Sequence, residues 1–357
     1  MLTRISHHLS RATARLVRLV VGTIIAALAL LTAAQQVARV GPWWLELSRY
    51  VPYPAYLLPA VLALLLSFWL GRAWVVASAA TLVLVLTVTM GLVWPRPDVG
   101  GMPVRLMTYN VKAYLAARHG GGFDRLAQEV ALHAPDILVM QDAHEAHPGS
   151  DHSVFESGRV FGYPHVHVAD QYVVASRFPL RECARGHLGQ RGEDLDYVHC
   201  VVEAKGVEFQ LLTVHFESPR SGLNAARHEG LDGAADWQRN FHERLGQSRA
   251  LADALAHELA GNRRPLVLAG DLNAPESSSV IRALLALGLR DAFSTAGSGY
   301  GFSYGQALKL GFSFLRIDHI LVSPEIGVAG CFVGNGEASE HRPVIADLLL
   351  RPRAGRR

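Results

Sequence analysis

Lysine is the scarcest charged residue of this chain, which carries it only at positions 112, 205 and 309 of its 357 residues. A nucleic-acid groove needs a dense basic stripe interleaved with stacking aromatic side chains, and the sequence contains no such stripe. The formal net charge of +3 does not indicate nucleic acid either, because four arginines lie within the first 18 residues. Nucleic acid is therefore the less favoured partner.

Cysteine is also rare. Three cysteines are too few to build a disulfide scaffold. Cys183 and Cys200 lie in neighbouring strand-like segments, so an oxidising compartment would allow one bridge between them, with Cys331 left over. The alternative, in which all three are buried thiols, agrees equally well with the sequence.

Charge is missing from three long apolar stretches, residues 19–34, 55–70 and 74–94. The third stretch has 21 residues, which at ~1.5 Å per residue covers about the thickness of a bilayer's hydrocarbon core. The other two, with 16 residues each, need flanking residues that lie in the membrane interface. The pattern predicts three N-terminal transmembrane helices and makes the lipid bilayer a partner.

The arginines around these stretches predict the orientation. Arg4, Arg11, Arg15 and Arg18 precede the first stretch without an acid among them, which favours a cytoplasmic N-terminus. Three crossings then place everything after residue 94 outside the cytoplasm. A signal-peptide cleavage site at TAAQ, residues 32–35, would leave the same part outside. We therefore expect a multi-pass protein of the cytoplasmic membrane with an extracytoplasmic domain.

The organisation of the chain follows from its turn residues. The segment WPRPDVGGMP predicts a linker, so we expect a membrane anchor over 1–95, a linker over 96–103, a folded domain over 104–351 and a basic tail over 352–357. Strand-like runs and helical patterns share the folded domain, and several strands follow one another between 172 and 216, which predicts an α/β domain with mixed sheets. The composition of 217–236 favours an irregular substrate loop.

Six of the strand-like runs end or begin in polar residues. They are Asn110, Gln141 with Asp142, His215, Asp271 with Asn273, Asp318 with His319, and Glu340 with His341. Any one of these could be a solvated turn. Together they favour a shared site, because α/β proteins place their sites in the loops at one edge of a packed sheet. Amide, carboxylate and imidazole groups are suited to a hard cation and a phosphate.

The segments TYNV, PDILVMQD, TVHF, AGDLNAP, RIDHILVS and SEHRPV, in this order, resemble the endonuclease/exonuclease/phosphatase superfamily of metal-dependent phosphoesterases. An ordered series over roughly 250 residues is far more specific than any one motif. The resemblance implies an α/β fold, a four-layer sandwich of two mixed β-sheets flanked by helices, here preceded by the three transmembrane helices. It also implies a divalent-metal-dependent hydrolase of phosphoester or pyrophosphate bonds.

The resemblance also assigns roles by position. Asp271 would orient or deprotonate water, and Asn273 would stabilise the phosphoryl group beside it. His341 would donate to a phosphate oxygen while Asp318 holds its tautomer, and His215 would contact the phosphate. The catalytic set is thus Asp271, Asn273, His341, Asp318 and His215. The substrate-binding set is Asn110, His215, Asn273 and His341.

The implied cofactor is Mg²⁺, with Mn²⁺ nearly as suitable, and the implied ligands are Asp142, Asn110 and Glu340. Two of them depart from the family pattern, which has Glu at 142 and Asp at 340. Each exchange moves a carboxylate by about one methylene, and hard-cation sites are sensitive to reach. The two changes could compensate, Glu145 could take part, or the site could have weakened in favour of Mn²⁺.

Two further sequence patterns allow other interpretations. A zinc site at HEAH, residues 144–147, is disfavoured because zincins need their histidines four positions apart on one helical face. Phe302 and Tyr304 in GYGFSYG could line a substrate pocket or only pack a loop, and both interpretations stand.

The substrate follows from the location. A domain outside the cytoplasmic membrane meets phosphorylated and lipid-linked small molecules more readily than chromosomal DNA, so a lipid-linked substrate leads. The alternatives are an extracytoplasmic nuclease and a catalytically weak module that binds phospholipids. No protein partner can be inferred from the sequence.

Overall fold

The computed structural model describes residues 11–37, 41–118, 120–144, 159–190, 193–229, 231–261 and 264–352. The chain divides into two compact units, Met1–Val93 and Trp94–Arg357. Most of the basic tail lies outside the described residues.

The first unit is helical. Its described helices are α1 Arg11–Val37, α2 Trp43–Ser48, α3 Pro54–Ser67, α4 Arg72–Leu84 and a π-helical continuation, Val85–Thr89. A small core that includes Leu28, Tyr56, Ala60 and Val85 joins α1, α3 and the π-helical turn. Many large apolar side chains instead point away from the unit, among them Leu19, Leu30, Leu58 and Val76.

The expectation of three spanning helices is met only for two of them. By length and composition, α1 and the helix Arg72–Thr89 could cross a membrane, with 27 and 18 residues. The middle helix has 14 residues and covers only about 21 Å, less than the hydrocarbon core of a bilayer. It is short because the chain turns after Ser67 and reaches Gly71, whose φ of +113° reverses the chain direction before α4.

The second unit contains two six-stranded sheets in its described part. The strands are β1 Met102–Asn110, β2 Ile137–Gln141, β3 His165–Ala169, β4 Tyr172–Ser176, β5 Leu180–Gln190, β6 Glu193–Ala204, β7 Val207–His215, β8 Leu266–Asp271, β9 Arg290–Asp291, β10 Asp318–Val322, β11 Gly327–Val333 and β12 Val344–Leu350. The first sheet has the order β11-β12-β1-β2-β4-β3 and the second β5-β6-β7-β8-β10-β9. Both sheets are mixed, because β1 and β2 pair in parallel, as do β7 and β8, whereas the other pairs are antiparallel.

Helices cover the sheets. They are α5 Ala113–Arg118, α6 Gly122–His133, α7 Arg220–His228, α8 Leu231–Gly261, α9 Ser279–Leu285 and α10 Ala292–Ala296. Phe123, Leu126 and Val130 of α6 pack on Met107 and Leu138 of the first sheet, and α8 contacts β5 and β6 of the second.

The two sheets face each other at their centres. Strand β1 contacts β8 and β10, and β2 contacts β7 and β8. Gln141, fully buried at the end of β2, donates to the hydroxyl of Thr213 in β7 over 2.9 Å. The expectation of two mixed sheets flanked by helices is confirmed.

Residues 217–236 differ from the expected irregular loop, because α7 and the start of α8 occupy most of the segment. The glycines there serve close packing between these helices. A Cβ on Gly233 would meet the carbonyl oxygen of Ala225 at 1.9 Å, and one on Gly222 would lie 3.1 Å from the Cα of Trp237. Glycine therefore marks a helix crossing here, and not a break in the secondary structure.

Two connections tie the second unit together. In the linker, Asp98 accepts hydrogen bonds from Arg290 and from the backbone N–H of Val328, at 2.8 and 2.9 Å. Cys183 and Cys200 form a disulfide between β5 and β6, and Cys331 is a buried thiol. The bridge that the sequence left open is therefore present.

Candidate active site

The strand pairing brings the polar strand ends together. In the first sheet Asn110 and Gln141 are partners at the ends of β1 and β2. In the second sheet Asp271, the last residue of β8, pairs with His215 on one side and with Asp318 on the other. Because the sheets face each other through these same strands, both clusters lie at one edge of the sandwich.

Asp271 is at the centre of this edge and is 1 % exposed. Its Oδ2 accepts from the Asn110 side-chain amide at 3.0 Å, and its Oδ1 accepts from the backbone N–H of Asn273 at 3.0 Å. Asn273 has a φ of +47°, a conformation that asparagine adopts more readily than most residues. Donors on both oxygens hold the carboxylate in one orientation.

His341 and Asp318 form a buried pair. The Nδ1 of His341 lies 3.0 Å from Asp318 Oδ2, which also accepts from the Ser303 hydroxyl at 2.6 Å. With Nδ1 engaged by the carboxylate, the Nε2 of His341 faces Asp271 Oδ2 at 3.7 Å. The arrangement leaves Nε2 as the imidazole atom that can meet a substrate.

Burial and charge act in opposite directions on this pair. Burial lowers the pKa of His341, but the carboxylates of Asp318 and Asp271 outweigh it, so the pKa is raised above the ordinary value of 6.5. The pKa of Asp318 is raised mainly by its burial. The pair therefore favours a protonated imidazole at the site.

His215 approaches Asp271 from the other side. Its Nε2 lies 3.4 Å from Asp271 Oδ2, and its Nδ1 lies 2.7 Å from the side-chain oxygen of Gln171. Its backbone N–H donates to the hydroxyl of Tyr172 at 3.0 Å. Gln171, in the turn between β3 and β4, thus orients the imidazole, and Tyr172 holds the His215 backbone.

Asp142 opens the loop after β2 with a φ of +51°. Its Oδ2 accepts from the ammonium of Lys112 at 2.5 Å, and its Oδ1 lies 3.6 Å from the Nδ1 of His215. Burial raises the pKa of Asp142, but His215 and Lys112 outweigh it and the net pKa is lowered. The pKa of Lys112 is raised, because Asp142 outweighs the opposing effect of burial. Both groups are charged at neutral pH.

Glu340 lies at the rim of the site. Its carboxylate accepts from the guanidinium of Arg220 at 3.0 Å, and the same nitrogen of Arg220 donates to the hydroxyl of Tyr304 at 2.9 Å. The ring of Tyr304 lies 4.8 Å from the His341 imidazole. Arg220 is therefore connected to His341 through one aromatic side chain.

The donor set suits a hard divalent ion. Asp271, Asp318 and His341 each offer a ligand atom, and these atoms all lie within 4.8 Å of one another. The Oδ1 of Asp318 is buried and has no hydrogen-bond partner among the described residues. Carboxylates are ligands that Mg²⁺ and Mn²⁺ accept, so the acids present fit the implied cofactor.

Seven of the eight residues assigned from the sequence meet through direct contacts. They are Asn110, Asp142, His215, Asp271, Asn273, Asp318 and His341. The eighth, Glu340, binds Arg220 at the rim. The metal ligands expected from the sequence were Asp142, Asn110 and Glu340, whereas the tightest group of donor atoms consists of Asp271, Asp318 and His341.

Several contributors carry no sequence signal of their own. Gln171, Ser303 and Arg220 lie in segments that do not match any of the six motifs. Lys112 could have been found, because it follows Asn110 by two positions. In GYGFSYG, Tyr304 contacts His341, whereas Phe302 stacks on Tyr300, so the pocket interpretation applies to Tyr304.

The zinc hypothesis gains no support within the described residues. His144 lies 3.6 Å from Asp170, and both are exposed. The rest of HEAH, including Glu145, lies outside the described part of the chain.

Comparison with known proteins agrees with this geometry. A family model described as "Endonuclease/Exonuclease/phosphatase family" matches residues 107–341. The crystal structure of truncated Caenorhabditis elegans TDP2 is similar at 18% identity and a TM-score of 0.51, over 71% of this chain and 99% of that chain. The mannosyl-6-phosphatase of Bacteroides thetaiotaomicron VPI-5482 is similar at 18% identity and a TM-score of 0.50, over 69% of this chain and 100% of that chain. At these identities the two structures show a shared fold. No curated protein matches the chain.

Proposed function

The chain belongs to the endonuclease/exonuclease/phosphatase family and is a metal-dependent phosphoesterase, and from this premise we propose that it hydrolyses phosphoester or pyrophosphate bonds of lipid-linked substrates at the outer face of the cytoplasmic membrane. The observation that carries the chemistry is the position of Asp271, whose Oδ2 lies 3.4 Å from the Nε2 of His215 and 3.7 Å from the Nε2 of His341. A general base and two imidazoles thus share one small space.

Asp271 is the proposed base. The Asn110 amide and the Asn273 backbone hold its two oxygens, so the carboxylate can orient a water molecule and accept its proton without first rearranging. Hydrolysis of a phosphoester demands mainly an aligned nucleophile and positive charge near the phosphoryl oxygens. Asn273 is proposed to stabilise the phosphoryl group beside that water.

His341 is the proposed electrophile. Held by Asp318 and kept basic by two carboxylates, its protonated form can donate from Nε2 to a phosphate oxygen. His215, oriented by Gln171, is proposed to bind the same phosphate. Asn110, which donates to Asp271, is proposed to contact that phosphate as well.

The proposed metal-holding residues are Asp142 and Asn110, with support from Glu340. When bound, Mg²⁺ or Mn²⁺ would supply positive charge beside the phosphoryl oxygens.

Two observations support the membrane setting. The helices α1 and Arg72–Thr89 are long and apolar enough to cross a bilayer, and large apolar side chains such as Leu30 and Leu58 are about 70 % exposed. The disulfide between Cys183 and Cys200 agrees with an oxidising location for the domain. Together with the cytoplasmic N-terminus expected from the arginines, they favour an extracytoplasmic site next to lipids.

The rim supports a substrate with two phosphate groups. The Tyr304 hydroxyl and Glu340 hold the guanidinium of Arg220, whose side chain is 50% exposed, and the Tyr304 ring lies beside His341. A guanidinium in this place can bind a second phosphate beside the reacting one. This favours a lipid pyrophosphate over a simple monoester.

The test is a panel of substrates offered to the full-length protein in detergent. A generic phosphodiester, a phosphomonoester, a lipid pyrophosphate and single-stranded DNA would be compared in Mg²⁺, in Mn²⁺ and in EDTA. We expect metal-dependent hydrolysis, with the lipid pyrophosphate preferred. Asp271→Asn should lower kcat by about 10² to 10⁴, whereas Asp253→Asn, at an exposed acid of α8, should leave it unchanged.

The other outcomes separate the alternatives. Cleavage of DNA alone would identify a nuclease. Binding of phospholipid without hydrolysis in either ion would identify a binding module.

A further inference from the structure

One of the three lysines of the chain lies inside the site. The Nζ of Lys112 is 2.5 Å from Asp142 Oδ2, and the side chains of the two residues are only 15% and 18% exposed. Asp142 is the acid at the position where the family resemblance implies a metal ligand. An ammonium therefore already neutralises the carboxylate that a divalent cation would use.

The backbone holds this ion pair in place. Lys112 and Asp142 both have positive φ, +45° and +51°, and the two loops are joined by hydrogen bonds from Val111 N–H to the Gln141 carbonyl at 3.0 Å and from Ala113 N–H to the Asp142 carbonyl at 2.8 Å. Left-handed backbone at two non-glycine residues persists only where the surroundings determine it. The loops therefore keep the Lys112 backbone beside Asp142, while its long side chain can still move away.

The second atypical acid is also paired. Glu340, at the other position where the chain departs from the family pattern, accepts from Arg220 at 3.0 Å. Both atypical acids are therefore neutralised by a basic side chain of the same chain. At Asp142 the pair is largely buried, where charges interact more strongly than in water.

From these contacts we infer that Lys112 and a divalent ion compete for Asp142, so that metal binding requires the Lys112 ammonium to leave the carboxylate. The inference rests on the proposed metal site. Its physical basis is that two cations cannot share one partly buried carboxylate without strong repulsion. The consequence is a weaker affinity for metal than the same acids would have without the lysine.

The first test measures Mn²⁺ affinity of the full-length protein in detergent, with free Mn²⁺ followed by electron paramagnetic resonance. Lys112→Met removes the charge and keeps most of the side-chain length, so we expect it to bind Mn²⁺ about tenfold more tightly than the wild type. Lys112→Arg keeps the charge, and Lys309→Met changes an exposed lysine outside the six motifs. Both should bind Mn²⁺ within about twofold of the wild type.

The second test needs no substitution. Lysine acylation of the wild type by an amine-reactive ester, mapped by peptide mass spectrometry, distinguishes the three lysines readily. Saturating Mn²⁺ should increase the labelling of Lys112 severalfold, because the ammonium is displaced, and should leave the labelling of Lys309 unchanged.

Equal or weaker Mn²⁺ binding by Lys112→Met, or Lys112 labelling that does not rise with Mn²⁺, would overturn the inference. Tighter binding by Lys112→Met without any turnover would support the inference and count against the proposed enzymatic activity alone. Absence of Mn²⁺ binding in every variant would count against both.

Discussion

Asp318 is the residue that distinguishes His341 from an ordinary buried histidine. Burial by itself would keep an imidazole neutral, yet the carboxylate 3.0 Å from Nδ1 raises the pKa of His341. Asp318 is therefore a positioning residue that determines both the tautomer and the charge of the imidazole. Ser303, which donates to the same carboxylate oxygen, supports it in that orientation.

The pH profile should show this role. His341 with a raised pKa is protonated below that pKa and loses its proton as the pH rises through it, so kcat/KM should fall on the alkaline side. Asp318→Asn removes the first of the two carboxylates that raise the pKa, and the alkaline limb should therefore move to lower pH. The measurement is kcat/KM against pH at saturating Mg²⁺. Asp253→Asn should leave the limb in place, and an unmoved limb in Asp318→Asn would exclude His341 as the titrating group.

At the scale of elements, helix α7 determines which basic side chain binds Tyr304 and Glu340 at the rim of the site. The helix begins at Arg220, directly after Pro219, and packs on α8 through Gly222 and Gly233. This packing places the Arg220 guanidinium within hydrogen-bond distance of the Tyr304 hydroxyl and the Glu340 carboxylate. The proposed selectivity at the rim would thus depend on a helix crossing that has no part in the chemistry.

Exchange of Arg220 should therefore affect substrates with two phosphates more than those with one. Arg220→Gln should lower kcat/KM for a pyrophosphate substrate by about tenfold, the loss of one charge-assisted contact, and for a phosphomonoester by less than about threefold. Arg227→Gln, at an exposed position in the same helix, is the matched control. An equal loss on both substrates would show that Arg220 supports the site only structurally.

Buried charge also joins β9, β10 and α10. Asp291 accepts from Arg316 at 2.8 and 2.9 Å and from the backbone N–H of Ser294 at 2.8 Å, and it lies 2.8 Å from the Nδ1 of His319. Burial raises the pKa of Asp291, but Arg316 and His319 outweigh it, and the net pKa is far below the ordinary 3.8. Removal of one partner would leave the Arg316 charge buried with less compensation.

Asp291→Asn should lower the free energy of unfolding by about 3 kcal/mol at pH 7, measured by guanidinium unfolding of the full chain in detergent. Because the folded pKa is depressed, the contribution of Asp291 is fully present above the ordinary value of 3.8 and is lost as the pH falls below it. The difference in the free energy of unfolding between the wild type and Asp291→Asn should therefore become smaller below pH 3.8. Asp98→Asn, which breaks a partly exposed pair with Arg290, should cost less than about 1 kcal/mol. An equal cost for the two variants would contradict this account.

At the scale of the whole molecule, the two units expose different kinds of side chain. The first unit exposes leucine and valine and buries few charges, and the second buries its apolar residues between two sheets. The proposed topology gives this difference a reason, because lipid is the solvent that accepts exposed leucine.

A reporter fused after Leu350 tests the topology. Alkaline phosphatase, which needs oxidising conditions to fold, should be active there, and a thiol reagent should modify Cys183 and Cys200 only after reduction. A fusion whose reporter works solely in the cytoplasm would refute the extracytoplasmic assignment.

The sequence by itself determined most of the second unit. Period-two and fully apolar runs predicted the strands and their mixed pairing, because these features depend on local pattern. The family resemblance of the ordered motifs implied two such sheets flanked by helices and most of the residues that meet at the candidate site. Where two glycines occur at a helix crossing, the local pattern was misleading, and a helix end at Ser67 shortened one expected span.

Only the tertiary structure decided which charges meet. Lys112 and Asp142 are 30 residues apart, and Arg220 and Glu340 are 120 residues apart, and nothing in the neighbouring sequence specifies their pairing. Register and loop conformation bring these side chains together, and a distance between side chains is a property of the packed sheets rather than of either segment alone.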